Sequence, residues 1–172
     1  MSTTATPSPV DVALGDLARE CATTRRVLER APLDARADWR PHPRSMSLGD
    51  LCAHLVNIPN WGVVTLATEG LDFTGPMPPR APIPTTTAEL VAGWDVQVAA
   101  LTAALAGADE AALGTTWTAR AGEQVVFAMP RGAVIRQMVL SHMIHHRAQL
   151  GLYLRLLDVP VPAIYGNSAD ER

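Results

Sequence analysis

Apolar residues recur at three- and four-residue steps in four stretches of this chain, which predicts four amphipathic helices. The first runs from about Val10 to the residue before Pro32. The second begins at Ser47, which can cap the free amides with Asp50 as its capping-box partner. Pro59 within this second helix should kink it or remove a backbone hydrogen bond. The predicted apolar stripes are Leu14, Leu17, Cys21, Thr24 and Leu28 in the first helix, and Leu48, Leu51, Leu55 and Ile58 in the second.

Two segments without a helical apolar period lie between the predicted helices, one before the third helix and one between the third and the fourth. Residues 70–85 are rich in proline and glycine and predict a long linker, which suits a crossover between the helices of a bundle. Helix three then runs from about Thr87 to Ala106. Strand-like runs at 115–118 and 124–127 predict a short β-hairpin or an extended flap. Helix four is predicted from about Ala133 to Leu157.

These elements predict an all-α protein, namely a four-helix bundle with a long crossover connection and a short β-hairpin insertion before the last helix. A length of 172 residues suits one domain with a substantial core, so we expect a single domain over residues 1–172. Within it, residues 1–9 are expected to be disordered and residues 160–172 to form an extended tail.

Composition narrows the possible partners. Hydrophobic residues make up 48% and charged residues 18% of the chain, which excludes a disordered protein. A net charge of −3 and an aromatic content of 5% provide neither a basic surface nor stacking groups for nucleic acid. We expect no signal peptide and no apolar run long enough to span a bilayer, which predicts a cytoplasmic protein. Cys21 and Cys52 are expected to be buried free thiols.

Three of the five histidines fall within residues 142–146, on a helix face that should be apolar. His142 and His146 lie one turn apart and could converge on one cation, although His142 with His145 is a second chelating spacing. His54 lies on the inner side of helix two, so facing helices would create a three-histidine metal site. The competing interpretation is that the histidines only hydrogen-bond within a polar seam. The predicted stripe of helix four is Ile135, Met138, His142, His145 or His146, Gln149 and Tyr153.

The chemistry of the donors limits the metal. Three neutral imidazoles suit zinc, nickel, iron or copper rather than calcium or magnesium, and availability and affinity favour zinc. Three protein ligands leave at least one coordination position open for water or substrate, as in catalytic sites. Spacing alone leaves the choice of ligands within helix four open.

The chain resembles the DinB/YfiT-like family of metal-binding proteins. A helix that is capped at Ser47 and leads to His54 is similar to the family's second helix, and the tail from Pro162 to Glu171 is similar to a common family ending. Ala148 stands where the family usually has glycine, a small change on a helix. The strongest resemblance, to a histidine followed by three residues and then His-Arg-Gly-Gln, is the segment His142-Met-Ile-His-His146-Arg147-Ala148-Gln149-Leu150.

The resemblance implies a four-helix bundle, often dimeric, with a divalent metal bound by one histidine of the second helix and two of the fourth. Carried onto this chain, the ligands are His54, His142 and His146. Related branches include transferases and isomerases that use low-molecular-weight thiols such as bacillithiol or mycothiol. The expected function is therefore thiol-dependent S-transfer to a small electrophile. The alternatives are a metal-dependent hydrolase, a stress-response protein that binds metal or a ligand without turnover, and a structural homodimer.

Other side chains are candidates for the pocket beside the metal. His145, Gln149 and Tyr153 continue along the same face of helix four, and Gln149 could orient a ligand or an imidazole, or could simply hydrogen-bond within the bundle seam. Arg147 is expected at the surface or at an interface. Trp61 and Trp94 could line a pocket, but their spacing is typical of core residues.

Overall fold

The computed structural model of this protein describes the backbone of residues 9–171 and the side chains of residues 15–171. The prediction that residues 1–9 are disordered concerns residues outside the described backbone, apart from Pro9, which begins α1. The predicted burial of Leu14 concerns a side chain outside the described residues. The helices are α1 (Pro9–Leu28), α2 (Leu33–Arg36), α3 (Leu48–Ala67), α4 (Thr87–Ala106), α5 (Glu110–Gly114), α6 (Arg131–Ile135) and α7 (His142–Leu156). A π-helical segment, Arg136–Ser141, joins α6 to α7, and the strands are β1 (Gly70–Asp72), β2 (Thr116–Ala121) and β3 (Gln124–Pro130).

The long helices form where the periodicity predicts them. The capping box at the start of α3 is confirmed, because the Ser47 hydroxyl accepts from the Asp50 amide and the Asp50 carboxylate accepts from the Ser47 amide. α3 continues through Pro59 to Ala67, so the proline does not end the helix. α4 has the predicted bounds. The short helices α2 and α5 were not predicted, since four or five residues are too few to show a helical period.

The core lies between the four longest helical segments. α3 packs against α4 and α7, and α1 also packs against α4 and α7. Cys21 and Cys52 are buried and unpaired as predicted, and burial is the main reason that the pKa of each thiol is raised to about 12. The core includes Leu17, Leu28, Leu48, Leu51, Leu55, Ile58, Leu90, Trp94, Leu101, Leu150 and Leu154.

The protein is mostly helical, as predicted, but its sheet has three strands rather than two. The hairpin of β2 and β3 is antiparallel, and β1 pairs with β2 in parallel. β1 lies at the start of the segment predicted as a pure linker, and its three residues are too short to show strand alternation. Gly70 allows the close approach, because a Cβ at that position would clash with the carbonyl oxygen of its strand partner Thr118. Trp117 of β2 is fully buried and donates from Nε1 to Thr68 Oγ1 at 3.0 Å, which anchors the sheet to the end of α3.

Among the described residues, α4 is the one helix whose length and mean hydropathy, 1.2, reach the values of a membrane span. The expectation that no apolar run approaches this length is therefore wrong for α4. α4 nevertheless packs against α1 and α3, and Asp95 in its middle forms an ion pair with Arg25 of α1 at 2.8 Å. A core helix of a water-soluble protein meets the same criterion, so α4 alone is weak evidence for a membrane protein.

The prediction that Arg147 lies at the surface or at an interface is wrong. Its side chain is 2% exposed and forms an ion pair of 2.6 Å with Glu20 of α1, which is 5% exposed. The guanidinium also donates to the Tyr165 hydroxyl at 2.7 Å, and that hydroxyl donates to Glu20 at 2.8 Å. Buried charges are stable only with such partners. These partners lie 127 residues before and 18 residues after Arg147, so helix periodicity could not reveal them.

The segment after α7 has no helix or strand within the described residues and is fastened to α1 and α7 by side chains. The Glu171 carboxylate accepts from Arg26 at 2.7 Å and from Arg30 at 2.8 Å. The Asp170 carboxylate accepts from Arg155 at 2.6 Å. With Tyr165 joined to Glu20 and Arg147, the tail ties the first and last long helices together.

We predict that Arg147→Met lowers the free energy of unfolding by about 3–5 kcal/mol, because it leaves the Glu20 carboxylate buried without its cation. Urea denaturation followed by circular dichroism measures the effect. The matched control is Arg155→Met, which breaks the exposed pair with Asp170 and should leave stability nearly unchanged. Equal losses in the two variants would contradict a structural role for the buried pair.

Candidate functional site

Two helices that are distant in sequence bring three histidines together. His54 lies on α3, about two turns after the capped start of the helix at Ser47, and His142 and His146 lie on the first two turns of α7. The Nε2 atom of His142 is 3.1 Å from Nε2 of His54 and 2.8 Å from Nε2 of His146. The cross-helix histidine cluster predicted from the sequence is thus present in the structure.

The geometry of this cluster is close to that of a metal site. One ring nitrogen from each of His54, His142 and His146 lies within 4.8 Å of the others. Nitrogen ligands at about 2.0–2.1 Å from a tetrahedral ion are about 3.3 Å apart, close to the observed separations. Three unprotonated Nε2 atoms at this spacing would repel one another unless a cation or a shared proton lies between them. The donor set therefore fits a divalent metal ion.

Hydrogen bonding prepares His146 to act as a ligand. Its Nδ1 lies 2.7 Å from Oε1 of Gln149, so Nδ1–H donates to the amide oxygen and Nε2 keeps its lone pair. The amide nitrogen of Gln149 lies 3.1 Å from Nε2 of His145 and donates to it. Gln149 thus holds the His146 ring in place, in the manner of the outer partners of metal ligands. Nδ1 of His142 is buried and makes no hydrogen bond within the described residues.

Burial keeps these imidazoles neutral. It is the main cause that lowers the pKa of His54 to about 4, and the neighbouring His146 and His142 lower it further. Burial is also the main cause that lowers the pKa of His142 and of His146, although the hydrogen bond to Gln149 opposes the shift at His146. Neutral imidazole is the form that binds a metal ion, so the site carries the required protonation state near neutral pH.

The predicted fourth helix is divided by the π-helical segment, which ends directly before His142. A π-helix uses hydrogen bonds from residue i to i+5, so it shifts the angular position of all later side chains, and such segments are frequent at functional sites. The predicted stripe accordingly fails in part, because Met138 is only half-buried, whereas Val139, Met143 and Leu150 are buried. The sequence carries no clear signal for this change of period.

A pocket of about 580 Å³ opens beside the histidines. His54 and His142 lie in its wall. The other lining residues are Met46, several residues of α3, Met138 of the π-helical segment, and residues of the linker between β1 and α4. Two asparagines of α3 hold that linker: Asn57 Oδ1 accepts from the Ala81 amide at 2.8 Å, and Asn60 Nδ2 donates to the Pro79 carbonyl at 3.1 Å. The apolar lining comprises Met46, Ala53, Ile58, Trp61, Val64, Met77, Pro78, Ala81, Ile83 and Met138.

The structure does not bring the other predicted pocket groups into this lining. His145 and Gln149 are exposed, and their contact with the site passes through His146. Tyr153 is buried, where its ring meets Trp39 edge-on and its hydroxyl donates to the Met46 carbonyl. Trp61 lines the pocket, whereas Trp94 is buried in the core.

Sequence reasoning missed Asn57, Asn60, Met77 and Arg80. The last two lie on a segment that was interpreted only as a connection. A polar pair at residues 57 and 60, one turn apart on the helix that carries His54, is the signal that could have indicated a contact with the linker.

Comparison with known proteins identifies the family and supports the fold. A family model described as the DinB superfamily matches residues 16–150. The structure is similar to a DinB-like protein from Bacillus cereus, with 24% identity, a TM-score of 0.67, and coverage of 89% of this chain and 95% of that one. It is also similar to the DinB-like protein YjoA from Bacillus subtilis, with 15% identity, a TM-score of 0.66, and coverage of 87% and 95%.

At these identities the two solved structures support the fold alone, and no curated protein matches the chain significantly. The family model, in contrast, covers most of the sequence, including all three clustered histidines. This chain therefore belongs to the DinB superfamily.

Proposed function

We propose that this protein is a metal-dependent enzyme that acts on a small molecule, with the metal held by Nε2 of His54, His142 and His146. The observation that carries the proposal is the convergence of three imidazole nitrogens beside a pocket whose wall includes His54 and His142. A histidine seam that only joins two helices would need no adjoining cavity. Zinc suits three neutral imidazoles best, and nickel or iron could occupy the same donors.

The reaction we propose is S-transfer from a low-molecular-weight thiol to an electrophile, because related branches of the family that the chain resembles include thiol-dependent enzymes. The ion, when bound, would supply a Lewis acid that lowers the pKa of a thiol. The transfer forms a carbon–sulfur bond and breaks the bond to the leaving group, which departs with the bonding electrons while the thiol proton is released. Most residues that line the pocket are apolar, which suits a small electrophile with an apolar body.

Hydrolysis, the alternative reaction, has less support from the pocket. Metal-assisted hydrolysis commonly employs a carboxylate as the base for water. Asp50 is the single acidic residue among the lining residues, and its carboxylate accepts from the Ser47 amide in the capping box of α3. A thiol needs no such base, because a thiol gives up its proton near neutral pH once its pKa is lowered.

The wider architecture follows the family. We infer that α1, α3, α4 and the last helix form a four-helix bundle whose crossover is the linker between β1 and α4, and that the chain is one domain with its tail packed along α1. A cytoplasmic homodimer without nucleic-acid or membrane partners, and a role in stress response, stay predictions from sequence and resemblance.

We predict about one divalent ion per chain when the full-length protein is loaded with zinc, desalted and measured by elemental analysis. His54→Ala, His142→Ala and His146→Ala should each lose the ion, because two imidazoles bind it far less tightly than three. His145→Ala is the matched control and should retain the ion, since its exposed ring lies against His146 and hydrogen-bonds to Gln149 but is not one of the three clustered histidines. Equal losses at His145 and His146 would overturn the ligand assignment.

We also predict thiol-dependent consumption of 1-chloro-2,4-dinitrobenzene by the zinc-loaded protein, measured as chloride release and S-aryl product with bacillithiol or mycothiol. The rate should fall to the uncatalysed level after chelation and in His54→Ala. An enzyme that binds zinc stoichiometrically yet accelerates neither thiol reaction would contradict S-transfer. That result would still support the proposed metal site.

A further inference from the structure

The linker wall of the pocket presents a single cation, Arg80. No other lysine or arginine lines the cavity, and most of the lining is apolar. The pocket therefore combines an apolar interior with one positive charge, beside the histidine cluster. Small-molecule sites of this size commonly place a few polar groups in an otherwise apolar cavity, where those groups determine orientation and specificity.

The backbone on both sides of Arg80 is held in place. Pro79 accepts a hydrogen bond from Asn60, and the Ala81 amide donates to Asn57, so both neighbours of Arg80 are bound to α3. Pro78, Pro79 and Pro82 further restrict this segment. The backbone of this exposed arginine is thus held against α3, the helix that carries His54.

The Arg80 guanidinium makes no hydrogen bond or ion pair with any residue that the structure describes. Asp50, the acidic group in the same lining, is held instead by the amide of Ser47. Arg80 lines the same pocket as His54 and His142. The guanidinium therefore lies in the wall of the site and has its full hydrogen-bonding capacity available.

We propose that the pocket binds a small organic carboxylate, with its carboxylate on Arg80 and its body against the apolar residues of the lining. Guanidinium binds a carboxylate through two parallel hydrogen bonds, which fixes orientation as well as position. A bound carboxylate would place the remainder of the molecule between Arg80 and the histidine cluster. This inference deepens the proposed function, on which it rests for the reaction, although the binding itself can be tested without the metal.

The charge balance of the pocket favours a monoanion. One guanidinium with Asp50 in the same lining leaves little net positive charge, so a phosphate dianion would meet repulsion that a carboxylate largely avoids. The apolar residues around Arg80 favour an aliphatic or aromatic body over a sugar or a nucleotide.

The test compares 4-phenylbutyrate with its neutral amide, 4-phenylbutyramide, by isothermal titration calorimetry on the full chain. Wild type should bind the carboxylate about tenfold more tightly than the amide, the size of a charge-assisted contact. Arg80→Gln should reduce carboxylate affinity to the level of the amide and leave amide affinity and zinc content unchanged. Arg40→Gln, an exposed arginine outside the pocket lining, is the matched control and should bind both probes as wild type does.

Each titration is carried out on metal-free and zinc-loaded protein, which separates this inference from the proposed function. Loss of affinity in Arg80→Gln in both states supports the inference, even if zinc never binds. Carboxylate affinity that depends on zinc and not on Arg80 would overturn it while the metal site stands. Equal binding of carboxylate and amide, or binding of neither, would also overturn it.

Discussion

The close approach of three imidazoles is the constraint on which the geometry of the site depends. Nε2 of His142 lies 3.1 Å from Nε2 of His54 and 2.8 Å from Nε2 of His146, a spacing at which unprotonated nitrogens would repel one another without a cation or a shared proton between them. α3 and α7 must therefore keep a fixed relative position if the cluster is to bind an ion. Three contacts help to hold these helices and their imidazoles in place: the capping box at Ser47, the hydrogen bond from His146 to Gln149, and the buried ion pair of Arg147.

Arg147 shows how the fold supports the site. It follows His146 directly in sequence, and while His146 faces α3, Arg147 is buried against α1 with Glu20 and Tyr165. The ligand-bearing helix is thereby held on two sides, by α3 through the imidazoles and by α1 through a buried ion pair. Buried ion pairs add little net stability, but they permit few alternative arrangements once formed.

Much of the fold and most of the histidine cluster could be predicted from the sequence, for identifiable reasons. α1, α3 and α4 have unbroken three- and four-residue apolar periods, and the i,i+4 spacing of His142 and His146 is a local feature. β1 and the burial of Arg147 could not be predicted, because each depends on partners distant in the chain. The π-helical segment could not be predicted either, because the sequence carries no clear signal for its change of period. The pocket lining from the linker was missed for the same reason: Arg80 gains its position only through Asn57 and Asn60 of α3.

The most direct test of the central claim is an anomalous-difference map at the zinc absorption edge, from crystals of the zinc-loaded protein. This account predicts one strong peak about 2.0–2.1 Å from Nε2 of each of His54, His142 and His146. A peak bound by His145 in place of His146, or no peak between α3 and α7, would contradict it.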